Sequence, residues 1–200
     1  MARTADEQKR VELLERIVDY VMANGLSDLS LRPLAEAVET SPRILLYYFG
    51  SKEELIASVM AGARERQRAI FDKLPRNPAS YAETVRAAWA AMSAPKHERV
   101  FRLFFEVYGL ALQDPKRFPG FVERAVDDWL GYLGAGALRD GHTQADARAI
   151  ATVLLAGYRG FLLDLVATRD RKRIDRAVEL WIAALDAIPS PKELADGKRR

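Results

Sequence analysis

The side chains best placed to do chemistry in this 200-residue chain lie between Ser30 and Lys52. Ser30, Arg32, Ser41, Arg43, Tyr47, Tyr48 and Lys52 carry N–H or O–H donors, and Pro42 and Ile44 stand among them. A helix face with an arginine and a tyrosine suits a DNA groove, whose phosphates and base edges accept hydrogen bonds. Bond-breaking chemistry has little support by comparison. No cysteine occurs, which excludes disulfides, thiolate metal sites and cysteine nucleophiles. His97 and His142 are far apart, and neither has a ligand-like neighbour three or four residues on. Gly131, Gly134, Gly136 and Gly141 form no phosphate loop, because no strand precedes them and no Lys-Ser/Thr follows. No enzyme, no catalytic residue, no metal ligand and no cofactor is expected.

Two short helices and the start of a third must position these donors. Ser30 is read as the N-cap of the first, with Leu31, Leu34, Ala35 and Val38 on one buried face. Ser41 caps the second, and Pro42 takes its first position, where a preset φ helps and the missing N–H costs nothing. Within it Ile44, Leu45 and Tyr48 are expected to turn inward, leaving Pro42, Arg43 and Tyr47 outside. Ser51-Lys52-Glu53-Glu54 spells a capping box that opens a third helix running to about Leu74, before Pro75 and Pro78. Lys52 then sits at a positive helix end, where a bound phosphate would relieve its charge.

Those residues carry a resemblance. From the amphipathic first helix through Leu45, Tyr48, Phe49, Ser51, Lys52 and Leu55, the chain resembles TetR-family transcriptional regulators. The resemblance covers about the first quarter of the chain and implies a DNA-binding homodimer, in most members a repressor. It implies that residues 41–48 form the recognition helix, with Tyr48 and Lys52 near phosphates. Two positions depart from the pattern. Glu39 stands where a turn glycine is common, so the turn is expected to use a conformation that Glu adopts. Leu46 stands where an aromatic is common.

The rest of the chain reads as helices, with no alternating strand pattern. Residues 6–24 carry Leu13, Leu14, Ile17, Val18, Val21 and Met22 on one stripe, closed by Asn24-Gly25. Further helices are expected at 81–92, 100–112, 118–138, 143–168 and 174–188, the fourth opened by Thr143 and Asp146 and the 118–138 helix weakened by its glycines. The 100–112 segment is apolar on most sides and is expected at the centre of a second domain. The fold class is therefore all-α: a three-helix helix-turn-helix domain over 6–52, a larger helical ligand-binding and dimerisation domain over 53–188, and a disordered tail over 189–200.

Trp89, Phe101, Phe104, Phe105, Tyr108, Trp129, Tyr158 and Phe161 are the candidates to line a site for a largely apolar small molecule. Tyr108, Tyr158, Glu106 and Arg102 are the polar groups expected to orient it. Helices 143–168 and 174–188 are the expected homodimer surface, with Gly157 and Gly160 allowing close approach. No apolar run is expected to reach the length of a membrane span, and a cytoplasmic location with no membrane partner follows. Net charge is only +3, and acidic residues outnumber basic ones before Ser51, so placement of charge argues for DNA and bulk charge does not. A helical protein-binding adaptor is the alternative; it gives no reason for Ser41-Pro42-Arg43, Tyr48 and Lys52 to fall in a DNA-reading register.

Overall fold

The computed structural model describes residues 2–26, 29–72, 81–139 and 141–187. Pro75, Pro78, the Ser27-Asp28 part of the first connection and the tail 189–200 lie outside them. Among the described residues the architecture is all-α, with no strand. The helices are α1 (Ala2–Asn24), α2 (Leu31–Ala37), α3 (Pro42–Phe49), α4 (Lys52–Phe71), α5 (Tyr81–Met92), α6 (Glu98–Gln113), α7 (Phe121–Arg139), α8 (Gln144–Thr168) and α9 (Arg171–Asp186). Short 3-10 turns occupy Pro95–His97 and Pro115–Arg117.

The chain forms two compact units, Met1–Asp72 with Lys96–Pro119, and Lys73–Pro95 with Gly120–Arg200. In the first unit α1 supplies Leu13, Ile17, Val18 and Val21 to a core closed by Leu26, Leu34, Ala35, Val38, Leu45, Leu55 and Val59, all buried. Arg66 of α4 reaches back to Asp19 and to the Met22 sulfur of α1, tying the long helix to the supporting one. The α6 helix belongs to this unit and packs on α1 and α4, which corrects its expected place at the centre of the second domain. Val100, Phe101, Leu103, Phe104, Val107 and Ala111 are its buried side, while Arg102 and Leu112 face solvent. It is therefore an amphipathic helix with one core face. Glu106 accepts a hydrogen bond from the Leu26 N–H at 2.8 Å, joining α6 to the turn that follows α1.

In the second unit α7 lies along α8, and α5 and α8 pack on α9. The glycines of α7 do not break it; the helix continues to Arg139. A Cβ at Gly134 would stand 3.2 Å from the Ala147 carbonyl oxygen, so that glycine lets the two backbones approach. Gly157 does the same for Trp181, whose ring would lie 2.3 Å from an added Cβ. Its space is thus filled within the chain rather than kept for a second copy. Gly160 has open space beside it. Thr143 caps α8 by accepting from the Asp146 N–H, and Asp170 caps α9 by accepting from the Arg173 N–H. The α8 helix also corrects the expectation about apolar length: it is long and apolar enough to cross a membrane by length and composition.

Candidate nucleic-acid interface

The turn between α2 and α3 sets the direction of every donor that follows. Thr40 N–H reaches the Ala35 carbonyl and Glu39 N–H the Glu36 carbonyl, which is the Schellman pairing that ends a helix. That pairing needs its linking residue in the left-handed region, and Glu39 is there with φ 56°. Glu39 thus adopts the left-handed conformation that a turn glycine would take there: hydrogen bonding of the helix end wins over the preference of the side chain. Ser30, expected to cap α2, has extended backbone but makes no side-chain cap hydrogen bond. Arg16 of α1 donates to the Val38 carbonyl at 2.9 Å and fixes the C-terminal end of α2 from outside.

The start of α3 is as the sequence spells it. Ser41 Oγ accepts from the Ile44 N–H, and Pro42 occupies the first turn. Leu45 and Phe49 are the buried residues of α3, whereas Ile44 is 44% and Tyr47 71% exposed, so the inward orientation expected for Ile44 is corrected. Leu45 and Phe49, four apart, already fill the core-facing side, and Ile44 is turned about 100° from Leu45. Tyr48 is half-buried. Arg43 is exposed and makes no hydrogen bond or ion pair among the described residues. Arg32 is exposed too, paired at the surface with Glu36 at 3.4 Å, an interaction worth little in water.

Past Gly50, whose φ of 79° turns the chain, Ser51 and Glu54 complete the capping box. The Ser51 N–H donates to Glu54 Oε2 at 2.9 Å and the Glu54 N–H to Ser51 Oγ at 3.1 Å. Lys52 is the first residue of α4 and half-buried, so its ammonium and the remaining first-turn N–H groups share one helix end. Arg43 thus lies in the first turn of α3, Tyr47 in its later half, and Lys52 at the N-terminal end of α4.

Asp6 of α1 joins this surface and had no local signal, being 41 and 42 residues from its partners. It accepts from the Tyr48 hydroxyl at 2.9 Å and from the Tyr47 hydroxyl at 3.5 Å. The hydrogen bond to that carboxylate, together with its charge, holds the Tyr48 phenol above its ordinary pKa. Arg10 donates to the Tyr48 carbonyl at 3.3 Å and lies over the buried Phe49 ring, 5.5 Å from its centre. It seats the end of α3 rather than standing as a free, solvated charge.

The eight aromatic residues expected to line a ligand site are distributed over both units. Phe101, Phe104, Phe105 and Tyr108 lie on α6, while Trp89, Trp129, Tyr158 and Phe161 belong to the second unit. There Trp89 and Phe161 meet edge-on at 6.2 Å, and Phe161 and Tyr158 each meet Trp181. Most of the polar groups anticipated for orienting a ligand are already engaged. Tyr158 donates to the Val85 carbonyl at 3.0 Å, Glu106 holds Leu26, and Arg102 pairs with Glu98. Trp89 Nε1 likewise donates to Asp175 at 2.9 Å.

An all-helical chain with a capped helix-turn-helix at one end is the architecture of a helix-turn-helix protein. Residues 13–59 match the model of the bacterial regulatory proteins of the tetR family. A transcriptional regulator from Rhodococcus sp. Rha1 has the same fold, with TM-score 0.75 and 17% identity over 90% of this chain and 99% of that one. A TetR-like transcriptional regulator from Rhodococcus sp. RHA1 superposes at 0.62, with 24% identity over 89% and 92%. BioQ with its double-stranded DNA operator superposes at 0.52, with 20% identity over 88% and 98%. No curated protein matches the chain.

Proposed function

We propose that this protein is a DNA-binding transcriptional regulator, a repressor, that acts as a homodimer and is released by a small, largely apolar molecule. The observation that carries the DNA reading is an exposed α3 presenting Arg43 and Tyr47 beside the capped start of α4 with Lys52, inside the segment that matches the tetR model. In this proposal Arg43 reads a base edge, Lys52 holds phosphate, Tyr48 stands near a phosphate and reaches it by releasing its hydroxyl from Asp6, and Ser30, Arg32, Ser41, Pro42, Ile44 and Tyr47 complete the contact surface. The 6–52 segment is the reading head and 53–188 carries the effector and dimer functions.

The dimer reading is supported by a pattern on α8. Val153, Ala156, Gly160, Leu163 and Ala167 are exposed at alternating spacings of three and four, the seam of a helix that packs on another helix. On α9, Leu180, Ala184 and Ala187 are exposed at spacings of four and three, with Ala183 exposed beside them. A second copy of the same two helices covers both, and two reading heads then meet half-sites about 34 Å apart or a multiple of it. The effector reading rests on the density of aromatic side chains alone; a ligand that prefers the non-binding form by about 1–3 kcal/mol weakens DNA binding roughly 5- to 150-fold.

The test is DNA retention at two salt concentrations with two variants. Arg43→Ala should cost about 1–3 kcal/mol and relax preference at one base position, while Lys52→Ala should weaken all sequences alike and reduce the salt slope by about one. Identical effects from both changes refute the division of labour, and no salt-dependent binding refutes the function.

A further inference from the structure

Arg43 is the one charged side chain in the eight residues of α3. Leu45 and Phe49 supply its buried face, yet Ile44, Leu46 and Tyr47 are 44%, 40% and 71% exposed. Exposed apolar side chains on a short helix add nothing to the core. With residues about 100° apart around a helix, Tyr47 points opposite the buried pair, Arg43 stands about 40° to one side of it and Ile44 about 60° to the other. Leu46 lies further round. Ile44 is also the third residue of the helix, in the N-terminal part that a recognition helix presents to base edges.

The major-groove edge of DNA offers hydrogen-bond donors, acceptors and one apolar group, the C5-methyl of thymine. Ile44 has neither donor nor acceptor. Set against a guanine O6, an N7 or an exocyclic amino group, it would remove water from a polar atom without replacing the hydrogen bond. Against a thymine methyl, two apolar surfaces leave water together. We infer that Ile44 is a specificity-determining residue that reads a thymine methyl beside the base read by Arg43. The inference rests on the DNA-binding reading and adds to it a composition: each half-site contains a thymine whose methyl group, rather than its hydrogen-bonding edge, is required.

The full chain is first used to select duplexes from a random pool at low salt. Each thymine of the selected half-site is then replaced by deoxyuridine, which lacks only the methyl group. At one position per half-site the replacement lowers affinity about fourfold, the worth of one buried methyl group. Ile44→Ala abolishes that sensitivity while keeping the preference at the Arg43 position and the helical content of the protein. A selected motif that tolerates deoxyuridine at every thymine overturns the inference, as does an equal loss in Ile44→Ala. Either result leaves DNA binding standing, whereas a full chain that retains no duplex at low salt overturns the regulator reading and this inference with it.

Discussion

Glu39→Gly should stabilise the protein although it removes a side chain. Glu39 has φ 56° and its side chain is exposed, and its backbone N–H is already engaged with the Glu36 carbonyl at 3.2 Å. The left-handed region costs a non-glycine residue about 1–2 kcal/mol. Glycine relieves that cost and keeps both hydrogen bonds of the helix end, but it restores about 0.4–1 kcal/mol of freedom to the unfolded chain. The net gain is about 0.5–1 kcal/mol, which for a chain of 200 residues raises Tm by roughly 1–4 °C. Thermal unfolding followed by circular dichroism, beside Glu39→Ala as a control, measures it. Alanine keeps the Cβ that makes the conformation costly, so it should gain nothing comparable. A glycine variant no more stable than the wild type, or an alanine variant that gains as much, refutes the strain argument and points to the lost charge instead.

Three further outcomes follow from single contacts. Gly157→Ala should lower Tm, because the added Cβ stands 2.3 Å from the Trp181 ring and the ring is held between α8 and α9; an unchanged Tm would show that the ring has room to move. Leu163→Glu places a charge in the exposed seam of α8 and should convert the proposed homodimer to monomer at micromolar concentration by sedimentation, while monomeric wild type would remove the dimer proposal. Asp6→Asn should bring the Tyr48 phenol back down toward about 10 in a spectrophotometric titration. Because the folded Tyr48 pKa is raised, the Asp6 contact contributes stability below pH about 10 that is lost as pH rises through the folded value; an Asn variant with the same alkaline titration would show that the contact does not hold in solution.

The caps show how much of the site was written locally. Ser41, the Ser51–Glu54 pair and Thr143 each work through backbone groups three residues away, so their types and spacings specify the starts of α3, α4 and α8 without reference to the rest of the chain. The apolar stripe of α1 is legible for the same reason, since one face of a helix repeats every three or four residues. What the family resemblance added was the expectation that α3 is a recognition helix.

Contacts between distant residues had no such signal. Whether α6 joined the first unit or the second was decided by which surface its buried face met, and apolar composition is the same for either choice. Ile44 faces outward because Leu45 and Phe49 already fill the core-facing side, a competition among neighbours that spacing leaves open. The space beside Gly157 looked available for a partner subunit until Trp181, 24 residues on, filled it. Asp6 reached Tyr47 and Tyr48 only when α1 and α3 packed together, and Glu39 entered the left-handed region because two helix-end carbonyls needed partners. Sequence by itself determines what a residue does for its own turn of helix. The tertiary structure decides which residues face each other, because the free energy of packing belongs to pairs of surfaces and to neither alone.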